Sequence, residues 1–150
     1  GVAIIKVGAM TEVEMIEKKH RLEDALEAVR AARDSGIVPG GGVALLRSIG
    51  KVEMELENED QRIGVECVIN AAREPFRQMA LNAGESPDLL ENAVASMPDE
   101  MGFDFRVMEP CNMEERGIID PAKVTITALQ NAVSAAGTLI TTGYAIIEGE

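Results

Sequence analysis

The chain has 150 residues, a formal net charge of −12, 46% hydrophobic and 27% charged residues, the balance of a folded globular chain rather than a disordered one. Nucleic acid and anionic membrane are polyanions, so a charge of this sign argues against either as the main partner. Aromatics make up only 3%, Trp is absent and eight Met serve as filler, which points to a mainly α fold with an Ala/Leu/Val core.

GVAIIKVG, residues 1–8, is β-branched and bounded by glycines, so it reads as a short strand that needs a partner elsewhere. Gly1 stands inside an apolar run, as it would in a piece of a longer chain. Thr11 and Glu14 have the spacing of a capping box, opening a long helix that continues to about Ser35 and stops at Gly36. Leu22, Leu26 and Val29 form the stripe expected to face the core. Asp24 falls roughly opposite it, beside Arg21, Glu27, Ala28 and Ala31. IVPGGG, residues 37–42, is a turn, and a second helix is expected from Val43 to about Leu56, with Val43, Leu46 and Ile49 or Gly50 inward.

A third helix is expected from about Glu59 to Arg73 on an Ile63, Cys67, Ala71 stripe, with Pro75 opening a separate short helix to about Asn82. Ser86 and Pro87 are the cap and first residue of another helix, to about Ala95. GFDFRV alternates as a small hairpin strand would. Asp120-Pro121 reads as cap and start of a last helix to about Thr142, burying Val124, Leu129, Ala132, Val133, Ala136 and Ile140. Gln130 and Asn131 make this run too polar to span a membrane. YAII, residues 144–147, reads as a final strand. The domain boundary is drawn at Ser35–Gly36, separating a strand-plus-helix appendage (residues 1–35) from a helical core (residues 36–150).

PGGG before a helix suits an anionic ligand, since free N–H groups attract anions and glycines admit close approach. It lacks the Lys-Ser/Thr of a P-loop and the spacing of a dinucleotide fingerprint, so on pattern alone a structural tight turn is the simpler reading. Asp24 can be a general base or a water-orienting carboxylate; the plain alternative is a solvated side chain paired with Arg21. His20, the only histidine, has no nucleophile motif to join. Asp120 is most simply a helix cap and Asp104 a strand-end residue, although either can accept hydrogen bonds from ribose or base. Glu53, Glu55, Glu57, Glu59 and Asp60 form an acidic run without calcium-loop spacing, and no metal ligand is assigned. Cys67 and Cys111 have no metal-type spacing and read as free thiols in a reducing compartment.

VEMIEKKHRLEDALEAVRAARDSGIVPGGGVALLR closely resembles the group I chaperonins, and the likeness continues through NEDQRIGVECVINAAREPFRQMALNAG, GFDF, NMEERGIIDPAKV and TALQNAVSAAGTLITT. The resemblance implies a C-terminal piece of a longer subunit, with residues 1–35 in the intermediate hinge domain and residues 36–150 forming the C-terminal half of the helical equatorial ATPase domain. It implies that Asp24 is the aspartate serving ATP hydrolysis, that Gly40 and Gly41 contact the nucleotide, that Asp120 lies on the ribose side and Asp104 on the adenine side. It further implies ATP with Mg2+ and K+ as cofactors of the parent, with none tightly held by this piece. Identical subunits in a double ring, non-native proteins and a co-chaperonin would be its partners, in bacterial cytoplasm or a eukaryotic organelle matrix. The family's Asp-Gly-Thr-Thr phosphate segment and its apical domain are absent here, so the piece alone is expected to be inactive. Phe105-Arg106-Val107 after Asp104 departs from the small residues commoner in the family. Two other readings of the chain are an independent acidic helical interaction module and a small enzyme that uses PGGG for a cofactor.

Overall fold

A computed structural model describes residues 1–144 and 146. Among these, helices α1 (Glu12–Ser35), α2 (Val43–Ile49), α3 (Glu59–Asn82), α4 (Pro87–Ala95) and α5 (Ala122–Ile140) dominate. Four short strands, β1 (Ile37–Pro39), β2 (Met101–Asp104), β3 (Glu109–Asn112) and β4 (Ile119–Pro121), form two antiparallel ribbons, β1–β4 and β2–β3. The mainly helical reading holds.

The start of α1 forms half of the anticipated capping box: Thr11 Oγ1 accepts from the Glu14 N–H at 3.2 Å, while Glu14 Oε2 reaches one residue past the cap and accepts from the Met10 N–H at 3.3 Å. Gly36, at φ 78°, ends the helix and returns its N–H to the Ala32 carbonyl. Its packing face differs from the expected one. Leu22, Leu26 and Val29 are exposed, and the half-buried residues are Ala28, Ala31 and Ala32 on the opposite side. Small alanines let the backbone of α1 lie close against β4 and α5, which larger side chains would hold off.

Residues 1–8 run without a strand partner among the described residues, so the expected N-terminal strand is not formed; Val2 and Ile4 stand in solvent. The expected strand YAII includes residues outside the described set. The first half of the IVPGGG turn is itself strand β1. Helix α2 stops at Gly50 rather than near Leu56, leaving residues 52–56 irregular. Val43 and Leu46 are buried as expected, and Ile49 packs against them.

Helix α3 is continuous through Pro75, where two helices were expected. Proline withdraws the N–H that would reach the carbonyl of Ala71, and Ala71 lies on the exposed side of the helix. The flanking residues Ala72, Phe76 and Ala80 are buried on one stripe and hold both halves to the same core. This stripe displaces the expected one, for Ile63 and Cys67 are exposed. Ser86 and Pro87 open α4 as read from sequence, and GFDF becomes the first strand of the β2–β3 hairpin. Helix α5 buries no residue fully: Val124, Val133 and Ile140 are exposed, and Leu129 is half-covered.

The core sits where α2, α3, α4 and the hairpin meet. Val43, Phe76, Val94 and Met113 are fully buried, with Leu46, Phe103 and Cys111 nearly so. Phe105 reaches in edge-on to Phe76 and Phe103, at ring separations of 5.5 and 5.2 Å.

Candidate functional site

Strands β1 and β4 pair Val38 with Asp120 and Pro39 with Ile119. The Gly40 N–H donates to the Ile118 carbonyl at 2.9 Å, and the Ala122 N–H to the Gly36 carbonyl at 3.1 Å, so the ribbon is pinned at both ends. Asp120 therefore stands across the ribbon from the chain that runs straight into Gly40 and Gly41. It is not the cap of α5; Pro121 occupies that position without a side-chain bond, because the strand pairing carries the chain into the helix. The Asp120 carboxylate is exposed and makes no hydrogen bond or ion pair among the described residues.

Two of the three glycines have packing reasons for being glycine. A Cβ on Gly42 would sit 2.9 Å from the Phe76 nitrogen, and one on Gly40 would sit 3.2 Å from the Ile118 carbonyl. Gly41 differs: its φ of 63° favours glycine, yet a Cβ there would meet only the tip of Met113 at 3.6 Å. Beneath the turn, Met113 also packs under Gly102 of β2, which lies against Val43. The turn, the hairpin base and the lead-in to β4 thus share one buried methionine.

Asp104 lies two residues beyond Gly102, roughly 7 Å along the strand. Its Oδ1 accepts from the Arg106 N–H at 2.9 Å and its carbonyl from the Met108 N–H at 2.8 Å, closing the hairpin turn. The bulky Phe105 that follows is accommodated by turning into the core. Burial pushes the neighbouring Cys111 thiol up, and the Asp104 carboxylate adds to that, against a smaller opposing effect of Arg116.

Asp24 is exposed on α1 and not paired with Arg21, which instead reaches Glu17 at 3.9 Å. At 100° per residue it shares its face with Ala28, Ala31 and Ser35. That face points toward the ribbon side, since the Lys123 N–H at the start of α5 donates to Ser35 Oγ at 3.0 Å. Asp24 is nevertheless roughly 18 Å along the helix from Gly36. The structure brings Gly40, Gly41 and Asp120 onto one ribbon, links Asp104 to them through the core, and leaves Asp24 distant on α1. Among the described residues no group of three or more His, Cys, Asp or Glu is placed to hold a metal ion.

Sequence reasoning passed over Arg47. It follows Val43 at i+4 on α2, so its stem lies on the buried face of that helix, and its side chain is only 13% exposed. A cation on a core-facing stripe was the available signal. Asp99, which accepts from Lys51 Nζ at 2.9 Å, was also missed; that hydrogen bond, more than Arg47, holds its carboxyl below the usual carboxylate range.

The TCP-1/cpn60 chaperonin family matches over residues 1–150. Among solved structures the chain is similar to one described as a group III chaperonin in the open state, with 30% identity and a TM-score of 0.79, over 93% of this chain and 30% of that one. The chain thus spans under a third of the length of the chaperonin it matches. On a family match that runs from the first residue to the last, the chain belongs to the TCP-1/cpn60 chaperonin family.

Proposed function

We propose that this chain is part of an ATP-hydrolysing ring chaperonin subunit of the group I type, with residues 1–35 in the hinge domain and residues 36–150 in the ATPase domain. The observation that carries the reading is the β1–β4 register. It sets the exposed, unpartnered Asp120 across from the strand leading into Gly40 and Gly41, residues that the sequence keeps far apart. A carboxylate suited to ribose hydroxyls and a glycine turn suited to phosphates then share one edge. The open side of Gly41 fits this use, because only a flexible methionine tip lies near it. Asp104 would stand on the adenine side. The motif runs, more than the fold, favour group I over the group III type of the matched structure.

ATP supplies the phosphoanhydride bond that is cleaved. What this chain contributes is a backbone cradle, a ribose acceptor and, on α1, a carboxylate that orients the attacking water. The described residues offer no carboxylate cluster for Mg2+, so no step is assigned to the metal. Asp24 would reach the site when α1 swings about Gly36, whose φ of 78° marks the joint between α1 and β1. In the assembled parent, the partners would be identical subunits in a double ring, a co-chaperonin and non-native proteins, in bacterial cytoplasm or an organelle matrix.

The test is Asp24→Ala in the full-length subunit. ATP affinity by calorimetry should stay within about twofold, while single-turnover hydrolysis slows by roughly 10²–10⁴-fold. Parallel loss of binding and hydrolysis would remove the water-orienting role, and failure of the full-length protein to bind ATP would remove the whole reading.

A further inference from the structure

We propose that Arg47 is a positioning residue for nucleotide binding, one that holds the adenine-side hairpin at a fixed distance from the glycine turn; this rests on the ATP-site reading above. Its Nη2 donates to the carbonyls of Val94, Pro98 and Met101 at 3.2, 2.7 and 2.7 Å. Its Nη1 donates to the Met97 carbonyl at 3.3 Å and to Asp99 Oδ1 at 3.2 Å. One guanidinium thus gathers the end of α4, the loop after it and the first residue of β2. Only Arg has the planar fork of donors for such a set, and lysine offers one ammonium. The positive head also sits at the carbonyl end of α4, where unsatisfied acceptors concentrate negative potential.

The geometry ties this clamp to the site. Arg47 and Val43 are four residues apart on α2, so they face the same way, and they hold consecutive residues of β2. Arg47 takes the Met101 carbonyl, while Val43 lies against Gly102, where an added Cβ would come within 3.1 Å of it. Helix α2 begins at the glycine turn and β2 ends at Asp104. The separation between the glycine turn and Asp104 is therefore set by two neighbouring grips. One of these, the Val43 contact, is apolar and makes no directional bond. The other is a five-bond polar lock that fixes the register. Helix α2 has only seven residues and cannot enforce that register alone.

The experiment uses the full-length subunit with Arg47→Met and Arg47→Lys, and Arg77→Met as control. Arg77 makes a clamp between α3 and α4, to Asp88 and Glu91, and neither of these bonds reaches α2 or β2. Loss of the Arg47 lock should raise KM and the calorimetric Kd for ATP roughly tenfold while kcat stays within about twofold, because the hydrolytic aspartate and the turn backbone are untouched. Arg77→Met should lower the melting temperature without moving KM. A folded Arg47→Met with unchanged KM, or with kcat falling at constant KM, overturns the proposal. If Arg47→Met does not assemble, Arg47→Lys, which keeps the charge and the stem but cannot span the carbonyl set, decides by the same two constants. Absence of ATP binding by the unmodified subunit overturns this inference together with the reading beneath it, whereas binding with unchanged KM in the variants overturns this inference alone.

Discussion

At Gly42 a methyl group would press on the Phe76 nitrogen and Cα at 2.9 and 3.1 Å, in a backbone already at φ 75°. Gly42→Ala should destabilise the subunit by about 1–3 kcal/mol, seen as a lower melting temperature, since both strain and contact must be relieved. A melting temperature equal to that of the unmodified protein would mean that α2 moves off α3 without cost. PGGG was readable as a turn because three glycines before a helical pattern leave few other options. Which glycine serves packing and which leaves an open side was not readable, because the answer depends on how closely α3 and β4 approach. Asp120 shows the same limit. Asp-Pro before an apolar helix reads as a cap, and only the long-range pairing with Val38 turns it into a strand residue beside the chain that enters the turn.

Helices whose ends carry capping chemistry were legible: α1 from Thr11 to Gly36, and α4 from its Ser-Pro start. Helix α3 was misread at Pro75, where burial of Ala72 and Phe76 on either side outweighs one lost hydrogen bond. The connection between α4 and β2 has no such local signal, because its order comes from distant side chains, Arg47 and Lys51, meeting Asp99. That gives a pH signature. Lys51 and Arg47 lower the Asp99 carboxyl from its ordinary 3.8, so the ionised form is favoured in the folded state. The stabilisation is present above that value and fades as pH falls through the lower folded value. The melting-temperature gap between the unmodified protein and Asp99→Asn should therefore be open at neutral pH and close as the pH falls below 3.8 through the lower folded value. A gap of constant size from neutral to strongly acidic solution would show that the ion pair is not its source.

The molecule as a whole leaves an unusual amount of apolar surface uncovered. A groove of about 710 Å³ between α2, the 52–56 segment, α3 and α5 is lined by Leu45, Val52, Met54, Val68, Leu129 and Val133 among others, and Leu139 on α5 is 77% exposed. Apolar residues gathered along one groove form a surface that another segment or chain can cover. The expected α1 and α5 stripes were sound as patterns but were assigned to a core within the chain. Hydrophobic spacing identifies a face that seeks cover; it does not identify what covers it. The isolated 150-residue polypeptide should bind a hydrophobic dye and show concentration-dependent self-association in light scattering, with no ATP turnover above background. A clean monomer that excludes the dye would contradict the exposed groove. The β1–β4 ribbon adds a consequence in time. Synthesis runs from the N-terminus, so the glycine turn leaves the ribosome long before Asp120, and α2, α3, α4 and the hairpin are all made before the two strands can meet. A nascent chain stopped short of Asp120 would carry the turn without the full strand that pairs beside its lead-in. Pairing of the ribbon thereby registers, in the order of manufacture, that the chain between its two strands has been made.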